Sequence, residues 1–78
     1  MENQKIKQDN INIGKNIRQL REHKGMGQTQ MVRELQLFGV EMTRESLVKI
    51  EHGKQHIFAT QLKAIRDVLD TTYDELLK

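Results

Sequence analysis

The sequence predicts an all-α domain built from five short helices. Three observations point there. Apolar residues recur at three- and four-residue spacing, with no sustained alternation of the kind a half-buried strand shows. The chain has no proline, and glycines or hydroxyl residues stand where the helical spacing breaks. At 78 residues it is one domain, near the size below which a single core needs staples.

The first stretch, "MENQKIKQDN", is read as a flexible N-terminal arm over residues 1–10, with the folded domain over 11–78. Ile13, Ile17 and Leu20 share one face of a first helix over about 12–24, which a basic last turn and Gly25 close. A second helix starts near Gln28 behind Gly27, carries Met31, Val32 and Leu35 on one face, and stops before Gly39. Thr43 is placed to cap a third helix whose buried stripe is Leu47 and Ile50 and whose stop is Gly53. The fourth, entered near Thr60, holds Leu62, Ile65 and Leu69. Thr72 and Glu75 then match the S/T-x-x-E box that opens a last short helix containing Leu76.

Composition narrows the classes of function. With no cysteine, disulfides and thiolate metal sites are excluded. The amino-terminal stretch has no apolar run that could serve as a signal-peptide core, and nothing approaches the roughly 18 apolar residues of a membrane span, so a cytoplasmic protein with no membrane partner is expected. Net charge is only +2, but its distribution is uneven: residues 11–27 carry +3 and residues 43–56 carry +1, and His23, His52 and His56 lie in those two segments. An ordinary solvated surface could have the same pattern.

The third helix, "TRESLVKIEHGK", carries the functional question. At about 100° per residue, Leu47 and Ile50 define its core side, while Glu45, Val48, Lys49 and His52 point outward with Arg44 and Ser46 on the flanks. Glu51 leans to the core edge, as Arg21 does on the first helix, so an Arg21 to Glu51 ion pair joining the two helices is expected. Two short helices in succession, with polar groups at the start of the second, also describe how a helix-turn-helix presents side chains to a major groove.

"IGKNIRQLREHKGMGQTQMV", then "TRESLVKIEHGK" and "LDTTYDELL", resembles the phage repressor and Cro group of helix-turn-helix proteins, the XRE family. The likeness rests on the order and spacing of Ile-x-x-Leu-Arg, the glutamine opening the second helix, Ile-Glu-x-Gly-Lys and Asp-Glu-Leu-Leu, across about residues 11–77. It implies a compact five-helix, lambda-repressor-like DNA-binding domain. By position, Gln28 matches the family's phosphate-contacting and bracing glutamine. Arg44, Glu45 and Lys49 fall where base-reading side chains stand, with Thr43 and Ser46 near the backbone; Lys54 and His56 match a loop that touches phosphates. Each has a plainer alternative: a solvated arginine or lysine, a helix-start glutamine, and for Glu45 an acid that suits the helix dipole.

Two features depart from the family. The stretch "QLFGVEM" makes the turn between the second and third helices about four or five residues longer, and its Leu37, Phe38, Val40 and Met42 either cap the core or form a patch for a protein partner. Arg66 stands where a small buried residue is usual, so either the fourth helix is rotated or the arginine carries its charge outward. His52 and His56 are separated by the helix-breaking Gly53, and no carboxylate or cysteine at ligand spacing completes a site, so neither metal nor cofactor is expected. No nucleophile-base pairing or phosphate-cradling glycine loop is present, which argues against an enzyme. The expectation is a sequence-specific, double-stranded DNA-binding transcriptional regulator, a repressor acting as a homodimer on a two-fold related operator. The resemblance makes Leu69, Tyr73, Leu76 and Leu77 on the C-terminal helices candidates for the dimer contact, with packing in the core as their plainer reading. The alternative function is a protein-interaction module on the same fold that binds through the 37–42 turn or those helices.

Overall fold

The apolar positions converge on one core in the computed structural model, which describes residues 4–6 and 12–78. Five helices are present among them: α1 (Ile13–His23), α2 (Gln28–Leu37), α3 (Arg44–Glu51), α4 (Ala59–Leu69) and α5 (Tyr73–Leu77). Two short strands, β1 (Lys5–Ile6) and β2 (Ile57–Phe58), pair antiparallel, with Lys5 opposite Phe58 and Ile6 opposite Ile57. Ile13 and Ile17 of α1, Met31 and Leu35 of α2, Leu47 and Ile50 of α3, Ile65 of α4 and Leu76 of α5 are fully buried together. Helix α1 lies at the centre, packed on α3, α4 and α5, while α2 packs on α3 and α4. No helix among the described residues is long and apolar enough to cross a membrane.

The strands are the main departure from the sequence reading, which contained none. Residues 5 and 6, assigned to the flexible arm, are held by pairing to β2, and the Ala59 N–H donates to the Gln4 carbonyl at 2.9 Å. Residues 1–3 and 7–10 of that arm lie outside the described residues. Helix α4 also starts one residue earlier than expected, at Ala59, where the Phe58 N–H donates to the Gln61 side-chain oxygen at 2.9 Å.

Four of the helices end in the same way. After α2, the Val40 N–H reaches back to the Leu35 carbonyl and the Gly39 N–H to the Gln36 carbonyl, each at 3.0 Å. This is the paired closure of a Schellman motif, and it needs a left-handed residue at Gly39, where φ is 82°. The equivalent pairs follow α1 at Gly25 and α3 at Gly53. After α4 the left-handed position is held by Asp70, at φ 51°, with the Thr71 N–H bonded to Arg66 O at 3.1 Å. An aspartate tolerates this conformation better than most residues, though at some cost relative to glycine.

The long turn between α2 and α3 divides its apolar residues. Met42 is buried and Val40 packs half-buried against the core, whereas Leu37 is 85% and Phe38 54% exposed. Thr43 then caps α3, accepting the Ser46 N–H at 3.0 Å, and Thr72 caps α5 through the Glu75 N–H at 3.2 Å. Arg66 carries its charge outward: its guanidinium lies 4.6 Å from the Tyr73 ring centroid and bonds Asp67 at 2.9 and 3.0 Å, while α4 keeps Leu62, Ala64, Ile65, Val68 and Leu69 inward. The hydrogen bond to Asp67 raises the Arg66 pKa above the ordinary guanidinium value.

Arg21 and Glu51 meet in the interior. Arg21 Nε and Nη2 donate to the two Glu51 oxygens at 2.7 and 3.0 Å, and Nη1 donates to the Met26 carbonyl at 2.8 Å. The hydrogen bond to Glu51 raises the Arg21 pKa, outweighing the opposite push of burial. A raised arginine pKa stabilises the folded state at every pH below the unfolded value and is lost only in strong alkali, so this group adds no pH dependence near neutrality.

Two predictions follow from these contacts. Arg21→Ala leaves a buried carboxylate uncompensated and is expected to lower the unfolding free energy by about 3 kcal/mol or more, while Arg21→Met combined with Glu51→Leu recovers most of that loss, measured by denaturant midpoints at unchanged slope. A Cβ at Gly39 would meet nothing within 4 Å, so the penalty there is conformational alone. Gly39→Ala is therefore expected to destabilise by about 1 kcal/mol and Asp70→Gly to stabilise by up to a similar amount, read by the same titration.

Candidate nucleic-acid interface

Helix α3 buries Leu47, Ile50 and Glu51 and turns Arg44, Glu45 and Lys49 to solvent, with Ser46 and Val48 half-buried at the margins. The Thr43 cap fixes where this helix begins, and Glu45 in its first turn and Lys49 in its last are each placed favourably for the helix dipole. Among the described residues no ion pair engages Arg44, Glu45, Lys49 or Lys54. These side chains are long, charged and uncommitted, on a helix whose backbone is held at both ends.

Gln28 stands at the first turn of α2 and half-buried, with its side-chain amide nitrogen donating to Glu51 Oε1 at 3.2 Å. It therefore braces the start of α2 against the end of α3. Met31 is the first α2 residue whose N–H bonds the carbonyl of Gly27, so the N–H groups of Gln28, Thr29 and Gln30 precede the helical ladder. Such an end attracts anions.

Beyond α3 the chain turns at Gly53 and runs through Lys54, Gln55 and His56 into β2. Lys54 and His56 are exposed. His52, whose ring nitrogen lies 2.8 Å from the Val48 carbonyl, ends the helix, so the two histidines lie on either side of a sharp turn. Among the described residues no three His, Cys, Asp or Glu side chains gather as metal ligands would. Thr43, Arg44, Glu45, Ser46 and Lys49 thus share one helix and its cap, Lys54 and His56 follow it, and Gln28 adjoins through Glu51.

Two residues escaped the sequence reading. Lys5, assigned to the arm, lines a shallow concavity with Lys54, Gln55, His56 and Phe58, and a two-residue strand has no periodicity by which to find it. Asn16 is buried on α1, where its amide donates to the carbonyls of Leu76 at 2.9 Å and Lys78 at 3.0 Å, closing the end of α5. Its place on the same side as Ile13 and Ile17 was the available signal.

Of the C-terminal residues considered for a dimer contact, Leu69 and Leu76 are buried in the core, and Tyr73 and Leu77 are 38% and 39% exposed.

No protein-family model matches the chain, and no curated protein sequence matches it. Among solved structures it is similar to the restriction-modification controller protein C.AhdI from Aeromonas hydrophila, with a TM-score of 0.74 and 21% sequence identity, over 86% of this chain and 94% of that one. At that identity the likeness concerns the fold: the chain has the compact five-helix, helix-turn-helix architecture that its sequence led one to expect, with a small two-stranded sheet added.

Proposed function

We propose that the protein is a sequence-specific, double-stranded DNA-binding transcriptional regulator, a repressor that binds a two-fold related operator as a homodimer. The observation that carries this reading is the outward face of α3, where Arg44, Glu45 and Lys49 are exposed and without ion pairs among the described residues on a helix fixed by the Arg21, Gln28 and Glu51 contacts. Likeness in fold to a restriction-modification controller supports it. In this role α3 enters the major groove, Arg44 addresses guanine O6 and N7, Glu45 accepts from cytosine N4, and Lys49 contacts base or phosphate. Thr43 and Ser46 lie against the backbone, Gln28 and the start of α2 hold a phosphate, and Lys54 and His56 add phosphate contacts after the turn. The exposed Tyr73 and Leu77 suit a dimer contact, which would set two copies of α3 about one helical turn apart.

A second reading keeps the fold and assigns the binding surface to protein. Leu37 and Phe38, exposed together at the end of α2, favour it.

The decisive experiment selects genomic fragments with the purified protein and remeasures the enriched duplex at two salt concentrations. A palindromic motif is expected, with affinity falling steeply as salt rises. Arg44→Ala should relax preference at one base position, at a loss of roughly 1–3 kcal/mol of discrimination, and Lys49→Ala should weaken binding, while Phe38→Asp leaves it unchanged. Failure to enrich any motif, with only weak binding that disappears at physiological salt, would refute the DNA reading and turn attention to a protein bound at Phe38.

A further inference from the structure

The pairing of β1 with β2 carries a cation from near the start of the chain to the loop that follows α3. Strand alternation sends neighbouring side chains to opposite faces, and here Ile6 packs half-buried against the core while Lys5 is exposed. The strand is held by its register, Lys5 opposite Phe58, and by the Ala59 N–H bonded to Gln4 O at 2.9 Å. Lys5 is therefore attached to a fixed backbone. With Lys54, Gln55, His56 and Phe58 it lines one open concavity, and no carboxylate is among the lining residues. Among the described residues neither lysine is engaged in an ion pair.

We infer that this concavity seats a phosphodiester of the same DNA duplex whose groove receives α3, with Lys5 supplying a charge-assisted contact that the helix-turn-helix itself does not contain. The inference rests on the DNA-binding reading above. Two lysines beside a polarisable imidazole suit an anion. The concavity is open, so a small free anion would stay largely hydrated there, whereas a polymeric phosphate arrives with its neighbours and releases condensed counterions when it is neutralised. The position argues for the same duplex: Lys54 and His56 directly follow α3, so a backbone flanking that helix passes the concavity. A lysine contributes here as a point charge, which fixes register without reading sequence.

Lys5→Gln and Lys5→Arg test this, with binding measured against salt on two duplexes of about three helical turns, one carrying the selected motif and one of scrambled sequence. Thermal unfolding is recorded for each variant. Loss of one phosphate contact should make the slope of log K against log salt shallower by about 0.9 and weaken binding about eightfold at ~0.1 M salt, equally on both duplexes. Lys5→Arg should restore the slope, and the melting temperature should stay unchanged, since the side chain is exposed and the strand bonds are backbone.

A wild-type slope retained in Lys5→Gln, with steep salt dependence still present, would overturn the Lys5 seat while leaving the DNA-binding reading intact. A change that alters preference between the two duplexes would equally overturn it, because a phosphate contact carries no sequence information. Absence of binding by the wild-type protein to either duplex at low salt would remove both readings together.

Discussion

A single buried fork determines where the exposed helix points. Arg21 and Glu51 are almost completely removed from solvent, and charges in that position are tolerated only when every strong donor and acceptor finds a partner. Here the guanidinium matches both carboxylate oxygens, spends a third donor on the Met26 carbonyl, and leaves Glu51 Oε1 to accept Gln28 as well. No buried side-chain polar atom among the described residues lacks a hydrogen bond. Its importance lies more in geometry than in net stability. The apolar stripes of α1, α2 and α3 could accommodate small slides past one another, whereas a bidentate pair with two further bonds is satisfied in only one arrangement. Because Gln28 opens α2 and Glu51 ends α3, that arrangement also sets the relation between the two helices of the proposed interface.

The helices are too short to stand alone. α3 has 8 residues and the longest helices have 11, below the roughly 12–15 at which an isolated helix becomes even marginal in water. Their ends therefore matter as much as their faces, and the repeated Schellman closure satisfies carbonyls that would otherwise be left without partners. The same closure explains how a long turn can coexist with a helix-turn-helix. Gly39 reverses the chain immediately, and Val40 and Met42 then return it to the core so that Thr43 arrives at a fixed position. The extra length is taken up by anchored residues, and Leu37 and Phe38 are left outside.

Much of this was legible because it depends on local chemistry. The glycine stops, the Thr43 and Thr72 caps and the helical wheel that put Arg21 and Glu51 at the core edge all act within one or two turns, where sequence spacing and spatial proximity nearly coincide. What escaped depends on contacts distant in sequence. Lys5 and Phe58 meet across the whole of the first three helices, and two-residue strands leave no period to detect. Asn16 shares the face of Ile13 and Ile17, but the carbonyls it binds come from the end of α5, far along the chain. Val40 and Phe38 are both apolar, yet Val40 packs half-buried on the core and Phe38 stays exposed, because the left-handed turn between them decides which side faces the core. Of the two sequence readings of Arg66, the outward one holds, and Tyr73 and Asp67 receive its charge.

The net charge of +2 understates the proposed interface because charge acts locally and part of it is taken up in ion pairs. Arg18 is matched with Glu22, Arg21 with Glu51, Arg66 with Asp67 and Lys78 with Glu75, so part of the positive charge away from the outward face of α3 is neutralised, although Lys15, Lys24, Arg33 and Lys63 also lie outside these pairs. Arg44, Lys49, Lys54 and Lys5 enter no such pair among the described residues, and Glu45 is the acid that shares the face of Arg44 and Lys49. Attraction between charges fades beyond a Debye length of about 8–10 Å at physiological salt, so an approaching phosphate responds to this local set and hardly to the total. A chain of nearly balanced charge can thus present a basic surface without the indiscriminate attraction of a strongly cationic protein. In the proposed function, discrimination then falls to the few side chains of α3 that the buried fork helps to orient.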